Sequence, residues 1–172
     1  MKNNGPVFRL KNGNYKIDLA TDHRKLLTQL VEQLRDSLAT TTDDPNLRRL
    51  FPTAYNNDAK KDAEYQRLMR DELLESRLAA IDVTIKVIAQ DDEISAEEID
   101  AFARSINSLR LVLGTTLDIA ESDYGSQSDT QQSDDSDSDE ASEADELLIQ
   151  KELYEYLGWL LEWTVGAQSS GL

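Results

Sequence analysis

The chain has 172 residues, 39% hydrophobic and 30% charged, with a net charge of −16, one histidine and no cysteine. That length fits one domain, and the lack of cysteine excludes disulfides, thiolate nucleophiles and thiolate metal sites. No apolar run approaches the roughly 20 residues of a membrane span, and no apolar leader opens the chain, so the expected location is cytoplasmic.

Pro6–Leu19 reads as a β-hairpin. Val7-Phe8-Arg9-Leu10 and Tyr15-Lys16-Ile17-Asp18-Leu19 alternate apolar and polar residues around Asn12-Gly13, a favoured turn pair. Two strands alone are marginal, so they must lie on helices. Asp22–Leu38 is an amphipathic helix, capped at Thr21 or Asp22, that buries Leu27, Leu30, Val31, Leu34 and Leu38. His23 falls in its first turn as an exposed residue. With no second histidine and no carboxylate four residues away on the same face, His23 is not expected to hold a metal. Thr40–Asp44 is a linker. Asp44-Pro45 then pairs a cap with proline at a first helical position and starts a short turn through Leu50. Leu50, Phe51 and Tyr55 must dock on the chain's own core or on a partner, because monomers rarely leave such groups exposed together.

Asp58–Gln90 reads as a long helix. Its stripe runs through Tyr65, Leu68, Met69, Leu74, Leu78, Ile81, Ile85 and Ile88, a bundle seam. Asp91-Asp92-Glu93 lacks the alternating ligands and central glycine of a calcium loop. Ile94–Ile119 is the best-signalled helix. Ser95 and Glu98 have capping-box spacing, and Glu97, Glu98 and Asp100 suit the positive end of the helix dipole. Ile99, Phe102, Ile106, Leu109 and Leu113 form its stripe, and Leu111 and Val112 widen it late. Gly114 costs about 1 kcal/mol against alanine, which points to close approach of a neighbouring helix or to a nearby helix end. Arg110, inside this apolar run, reads as a snorkelling arginine paired with a carboxylate, or as a partner contact.

Glu121–Glu146 holds 11 carboxylates, seven serines and no Lys or Arg. It buries too little apolar surface to fold alone and reads as a disordered acidic linker. Leu147–Gly166 is the last helix. Leu153, Tyr156, Leu157, Leu160 and Leu161 should face the bundle, while Trp159 and Trp163 share another face. Apolar residues cover so much of its circumference that it must insert between helices or meet another subunit, which allows a homodimer. The fold expected is mainly α: one domain of about four main helices (the main helices over 21–120), with an N-terminal hairpin over 6–19. The acidic insert over 121–146 precedes the C-terminal helix of 147–166.

Charge divides the chain. Residues 1–86 carry 15 Lys/Arg against 13 Asp/Glu, and residues 87–172 carry 3 against 21. DNA affinity rests largely on cationic contacts with phosphates, so a −16 chain without a compact basic helix is a poor DNA binder. Arg48–Arg70 is the basic exception, either a solvated face or a modest anion-binding surface open to the acidic linker in cis. No Ser-His or Cys-His pair is available for nucleophilic catalysis, and no glycine-rich phosphate loop follows a strand. The expectation is therefore no enzyme, no catalytic residues, no cofactor and no metal.

Arg49-Leu50-Phe51-Pro52-Thr53-Ala54-Tyr55, Leu109-Arg110-Leu111-Val112-Leu113-Gly114-Thr115-Thr116-Leu117 and Tyr154-Glu155-Tyr156-Leu157-Gly158-Trp159-Leu160 resemble the motifs of an actinobacterial family of unknown function. That family includes oxidative-stress transcriptional regulators. The resemblance covers nearly the whole chain outside the acidic insert. It implies a small helical cytoplasmic regulator that acts with the transcription machinery. Two departures stand out: there is no cysteine pair for thiol redox sensing, and Phe102 stands where a tryptophan is expected.

Physical reading and resemblance together lead to a non-enzymatic regulator that contacts a sigma factor or RNA polymerase through protein surfaces. The partner-binding residues expected are Arg48, Arg49, Phe51, Pro52, Tyr55, Arg110, Trp159 and Trp163. The alternatives are an acidic nucleic-acid mimic acting through 121–146, or a helical enzyme with a cryptic carboxylate site.

Overall fold

The computed structural model describes residues 5–40, 45–51, 58–126 and 137–171. Strands β1 (Val7–Arg9) and β2 (Tyr15–Ile17) lead into α1 (Thr21–Thr40), followed by a 3₁₀ helix (Pro45–Leu50), α2 (Ala59–Ala89), α3 (Ala96–Ser126) and α4 (Asp137–Ser169). The chain is mainly α-helical, with a small antiparallel hairpin, as its periodicities require.

In the hairpin, Val7 pairs with Ile17 and Arg9 with Tyr15. Gly13 takes a positive φ of 92° in the turn, a conformation open to glycine at little steric cost. The amide of Asn14 donates to Asn12 Oδ1 at 3.0 Å, tightening the turn. Tyr15 and Ile94 form a two-way backbone bridge, 2.9 Å in each direction. The hairpin is thereby tied to the α2–α3 connection, while β1 packs on α4.

α1 starts at Thr21, and the Ala20 carbonyl accepts the Arg24 amide at 2.9 Å. The cap position thus falls at Ala20, one residue before the earlier of the caps expected at Thr21 or Asp22. Leu27, Val31, Leu34 and Leu38 are buried along it. Asp58 caps α2 by accepting from the Lys61 amide. Ser95 caps α3: its hydroxyl accepts from the Glu98 amide at 3.2 Å, and Glu98 accepts from the Ser95 amide at 2.7 Å. This is the capping box that the spacing predicts.

α3 is the central element and touches α2, α4, the 3₁₀ helix and α1. Contacts between α2 and α3 pair Arg77 with Ser108 and Thr84 with Ser105, so the two helices run antiparallel. Ile81 and Ile88 are buried as expected, but Ala80, Thr84 and Val87 join them. Thr84 Oγ1 lies 2.8 Å from Ser105 Oγ and 3.2 Å from the Ala101 carbonyl. Small hydroxyl residues let the backbones approach here, a contact that hydrophobic periodicity does not display. Leu68, expected on the α2 stripe, is 65% exposed instead.

The acidic insert has narrower limits than its charge implies. α3 runs on to Ser126 and α4 begins at Asp137, so both ends of 121–146 are helical. Continuity with a packed apolar helix carries the backbone beyond the last core residue, although Ser, Asp and Gly are poor helix formers. Residues 127–136 lie outside the described residues, as do residues 41–44 of the expected Thr40–Asp44 linker, whose first residue instead closes α1.

Candidate functional site

The 3₁₀ helix, α3 and α4 meet around two glycines. An added Cβ at Gly114 would lie 2.8 Å from Arg49 Nη1 and 3.2 Å from Tyr154 Cε2. At Gly158 it would lie 3.3 Å from Arg110 Nε. Contacts 110–158 and 114–154 run in opposite order, so α3 and α4 are antiparallel. Both glycines admit side chains of the opposing element, and Gly114 is explained by close approach rather than by a helix end.

Arg110 lies over the Tyr154 ring, with its guanidinium carbon 5.0 Å from the centroid. Its Nε is buried without a hydrogen-bond partner among the described residues. Among the described residues this cation–π contact stands where a carboxylate partner is expected. Arg49 pairs with Asp118, one turn beyond Gly114 on α3. Arg48 is exposed beside it. Phe51 is only 9% exposed, and the Arg70 guanidinium carbon stands 4.8 Å from its ring centroid. Its ring therefore docks on the chain's own core. Pro52 and Tyr55 lie outside the described residues.

Arg77 reaches across the same junction, donating to the Leu50 carbonyl at 3.0 Å and to Ser108 Oγ at 3.1 Å. Burial lowers its pKa from the usual arginine value. It anchors the 3₁₀ helix to α3. Sequence reading missed this role, because an arginine in a mixed-charge helix gives no sign of which way it points.

Trp159 and Trp163 stand one turn apart on the outer side of α4, 45% and 36% exposed. Together with Val7, Glu162, Gly166 and Ala167 they line a groove of about 690 Å³. Trp159 leans on Tyr156, with ring centroids 5.9 Å apart. Tyr156 meets the exposed His23 edge-on at 5.2 Å. Burial raises the Tyr156 pKa from its usual value, and its hydroxyl has no partner among the described residues.

A second polar cluster holds the hairpin. Arg24 donates to the carbonyls of Ile17 at 2.8 Å, Leu19 at 3.2 Å, Ile88 at 2.9 Å and Gln90 at 3.1 Å. It also reaches the Asp91 carboxylate at 3.1 Å. Lys16 pairs with Asp91, and Asn12 and Asn14 donate to Glu93. The hydrogen bond and charge of Lys16, then the charge of Arg24, lower the Asp91 pKa. Hydrogen bonds from Asn12 and then Asn14 lower that of Glu93. Among the described residues no group of three or more His, Asp or Glu side chains is placed to hold a metal ion. No helix there is long and apolar enough to cross a membrane.

These features define a helical-bundle protein with a clamped N-terminal hairpin, an arginine–tyrosine junction between its last two helices and an outward pair of tryptophans. A family model described as a domain of unknown function (DUF2017) matches residues 3–168, and the chain belongs to that family. No curated protein and no solved structure matches it.

Proposed function

We propose that this chain is a non-enzymatic cytoplasmic regulator that works by binding another protein. The observation that carries the reading is the exposed Trp159–Trp163 pair beside the Arg49–Arg110–Tyr154 junction. Trp, Tyr and Arg are the residue types that dominate binding hot spots, and on α4 and its border with α3 they occur together. The resemblance to oxidative-stress regulators points to the transcription machinery, with a sigma factor or RNA polymerase as the partner. The net charge of −16 favours a basic protein surface over naked DNA. A regulator of this kind senses its signal without thiol chemistry, since the chain has no cysteine.

One observation favours a second reading. Glu143, Asp145 and Glu146 are exposed near the start of α4, where carboxylates carried on one helix can imitate a phosphate backbone. Affinity capture from cytoplasmic extract separates the two readings. It compares the intact chain with one carrying Glu143→Gln, Asp145→Asn and Glu146→Gln, at low and high salt. RNA polymerase or a sigma factor retained by both chains at high salt is the expected result. Retention by the intact chain alone, and only at low salt, would transfer the function to the acidic segment, because purely electrostatic binding is screened.

A further inference from the structure

α4 contains one glycine that nothing in the described chain requires. Gly114 and Gly158 make room for Arg49, Tyr154 and Arg110. At Gly166 an added Cβ would meet no described atom within 4 Å. A helical glycine costs up to about 1 kcal/mol against alanine, and no described residue comes close enough to Gly166 to account for one there. Gly166 lies in the groove of about 690 Å³ between Val7 and the two tryptophans. That volume falls within the roughly 300–1,000 Å³ of sites that enclose a small molecule or an anchoring side chain.

The groove wall is held in place. The Trp163 indole lies directly on Gly5, where a Cβ would overlap it, and Trp159 is braced by Tyr156. Charge then selects the occupant. Glu162 lines the groove, and Glu152 and Glu155 lie further along the exposed part of α4. From residue 152 to 171 the sequence holds no Lys or Arg. Arg9 of β1 lies against Gly171 at the far end.

We propose that the Trp159–Trp163–Gly166 groove docks a cationic amphipathic helix of a partner protein. An apolar side chain of that helix enters over Gly166 against the tryptophans, and a lysine or arginine meets Glu162. The proposal rests on the protein-binding reading above and gives it a surface and a partner chemistry. A second copy of this chain fits poorly, because a twofold contact here would bring Glu162 towards its own image and set two −16 chains together.

The test uses the full chain and the fluorescence of Trp159 and Trp163, its two tryptophans. The probe is a synthetic leucine/lysine peptide with apolar residues at helical spacing, with a leucine/glutamate peptide of the same pattern as control. The lysine peptide should shift the emission to shorter wavelength, and the glutamate peptide should not. The Cβ of Gly166→Leu would meet no described atom within 4 Å and its side chain would extend into the groove, so the variant should keep the melting temperature and weaken lysine-peptide binding at least about tenfold. Equal binding by wild type and Gly166→Leu overturns the proposal. So does a concentration-dependent dimer in sedimentation that Gly166→Leu dissolves, which would assign the groove to a second copy. In the capture experiment, Gly166→Leu that still retains polymerase removes the groove and keeps the regulator. Peptide binding at the groove with no transcription protein captured removes the regulator and keeps the groove.

Discussion

Arg24 shows how one side chain can hold three elements. Its planar fork satisfies carbonyls at the end of β2, in the β2–α1 connection and at the C-terminal end of α2, and it also meets Asp91. The last carbonyls of a helix have no partner within that helix, so Arg24 supplies one from outside. Lysine offers a compact charge on a flexible stem and lacks the fork. Arg24→Ala should therefore lower unfolding stability by about 2–3 kcal/mol, since several part-buried acceptors lose their donor together. Arg24→Lys should recover only a minor part of the loss. Urea unfolding checks this through a lower midpoint at an unchanged slope.

Elements in this fold are joined by ends as much as by faces. The hairpin buries Val7, Tyr15 and Ile17, but its position is set by the Tyr15–Ile94 bridge and by Asp91 and Glu93 at the α2–α3 connection. Both carboxylates have folded-state pKa values below their ordinary values of 3.8 and 4.5. A depressed carboxylate pKa contributes stability that is present above the unfolded value and lost as pH falls through the folded one. The hairpin clamp should therefore weaken below about pH 4, in the range where free carboxylates titrate. Hydrogen exchange at the Tyr15 and Ile94 amides should accelerate there before exchange in α3 does. Asp91→Asn combined with Glu93→Gln should flatten that acid dependence, and an unchanged profile in the double variant would place the titration elsewhere.

At the scale of the whole molecule, charge and packing oppose each other. The half of the chain after residue 86 carries 21 acidic and 3 basic residues, and most of its described residues lie in two antiparallel helices, α3 and α4. Self-repulsion at high net charge destabilises a compact state, and salt screens it. Exposed ion pairs such as Arg35–Asp82 and Arg104–Asp100 are worth about 0–1 kcal/mol each and weaken with salt. With 34 acidic against 18 basic residues, repulsion should dominate. The melting temperature should rise as sodium chloride increases from about 0.01 M to about 0.5 M. A fall over that range would mean that the ion pairs outweigh the net charge.

The helices and the hairpin were legible in the sequence because each has its own local signal: the Ser95–Glu98 box, the Asn12-Gly13 turn, and the Leu27–Leu38 and Ile99–Leu109 stripes. These signals depend on backbone periodicity and on caps only a few residues long, so they need no tertiary partner. Gly114 pointed either to a close neighbour or to a helix end, and the contacts with Arg49 and Tyr154 decided for the neighbour. Other features depended on the assembled chain. Thr84 and Ser105 fall on a face that looks polar until a second helix covers it. Arg24, Arg77 and Arg110 are long enough to point to solvent, a carboxylate, a carbonyl or a ring, and only the neighbouring elements decide which. The same holds for Tyr154, whose ring seats Arg110. Sequence by itself determined that this is a cysteine-free, acidic helical protein with a small hairpin, because composition and periodicity are properties of the chain alone. Tertiary structure alone decided that Arg49, Arg110, Gly114 and Tyr154 meet at one junction and that Trp159, Trp163 and Gly166 open a groove, because both depend on residues far apart in sequence being brought together.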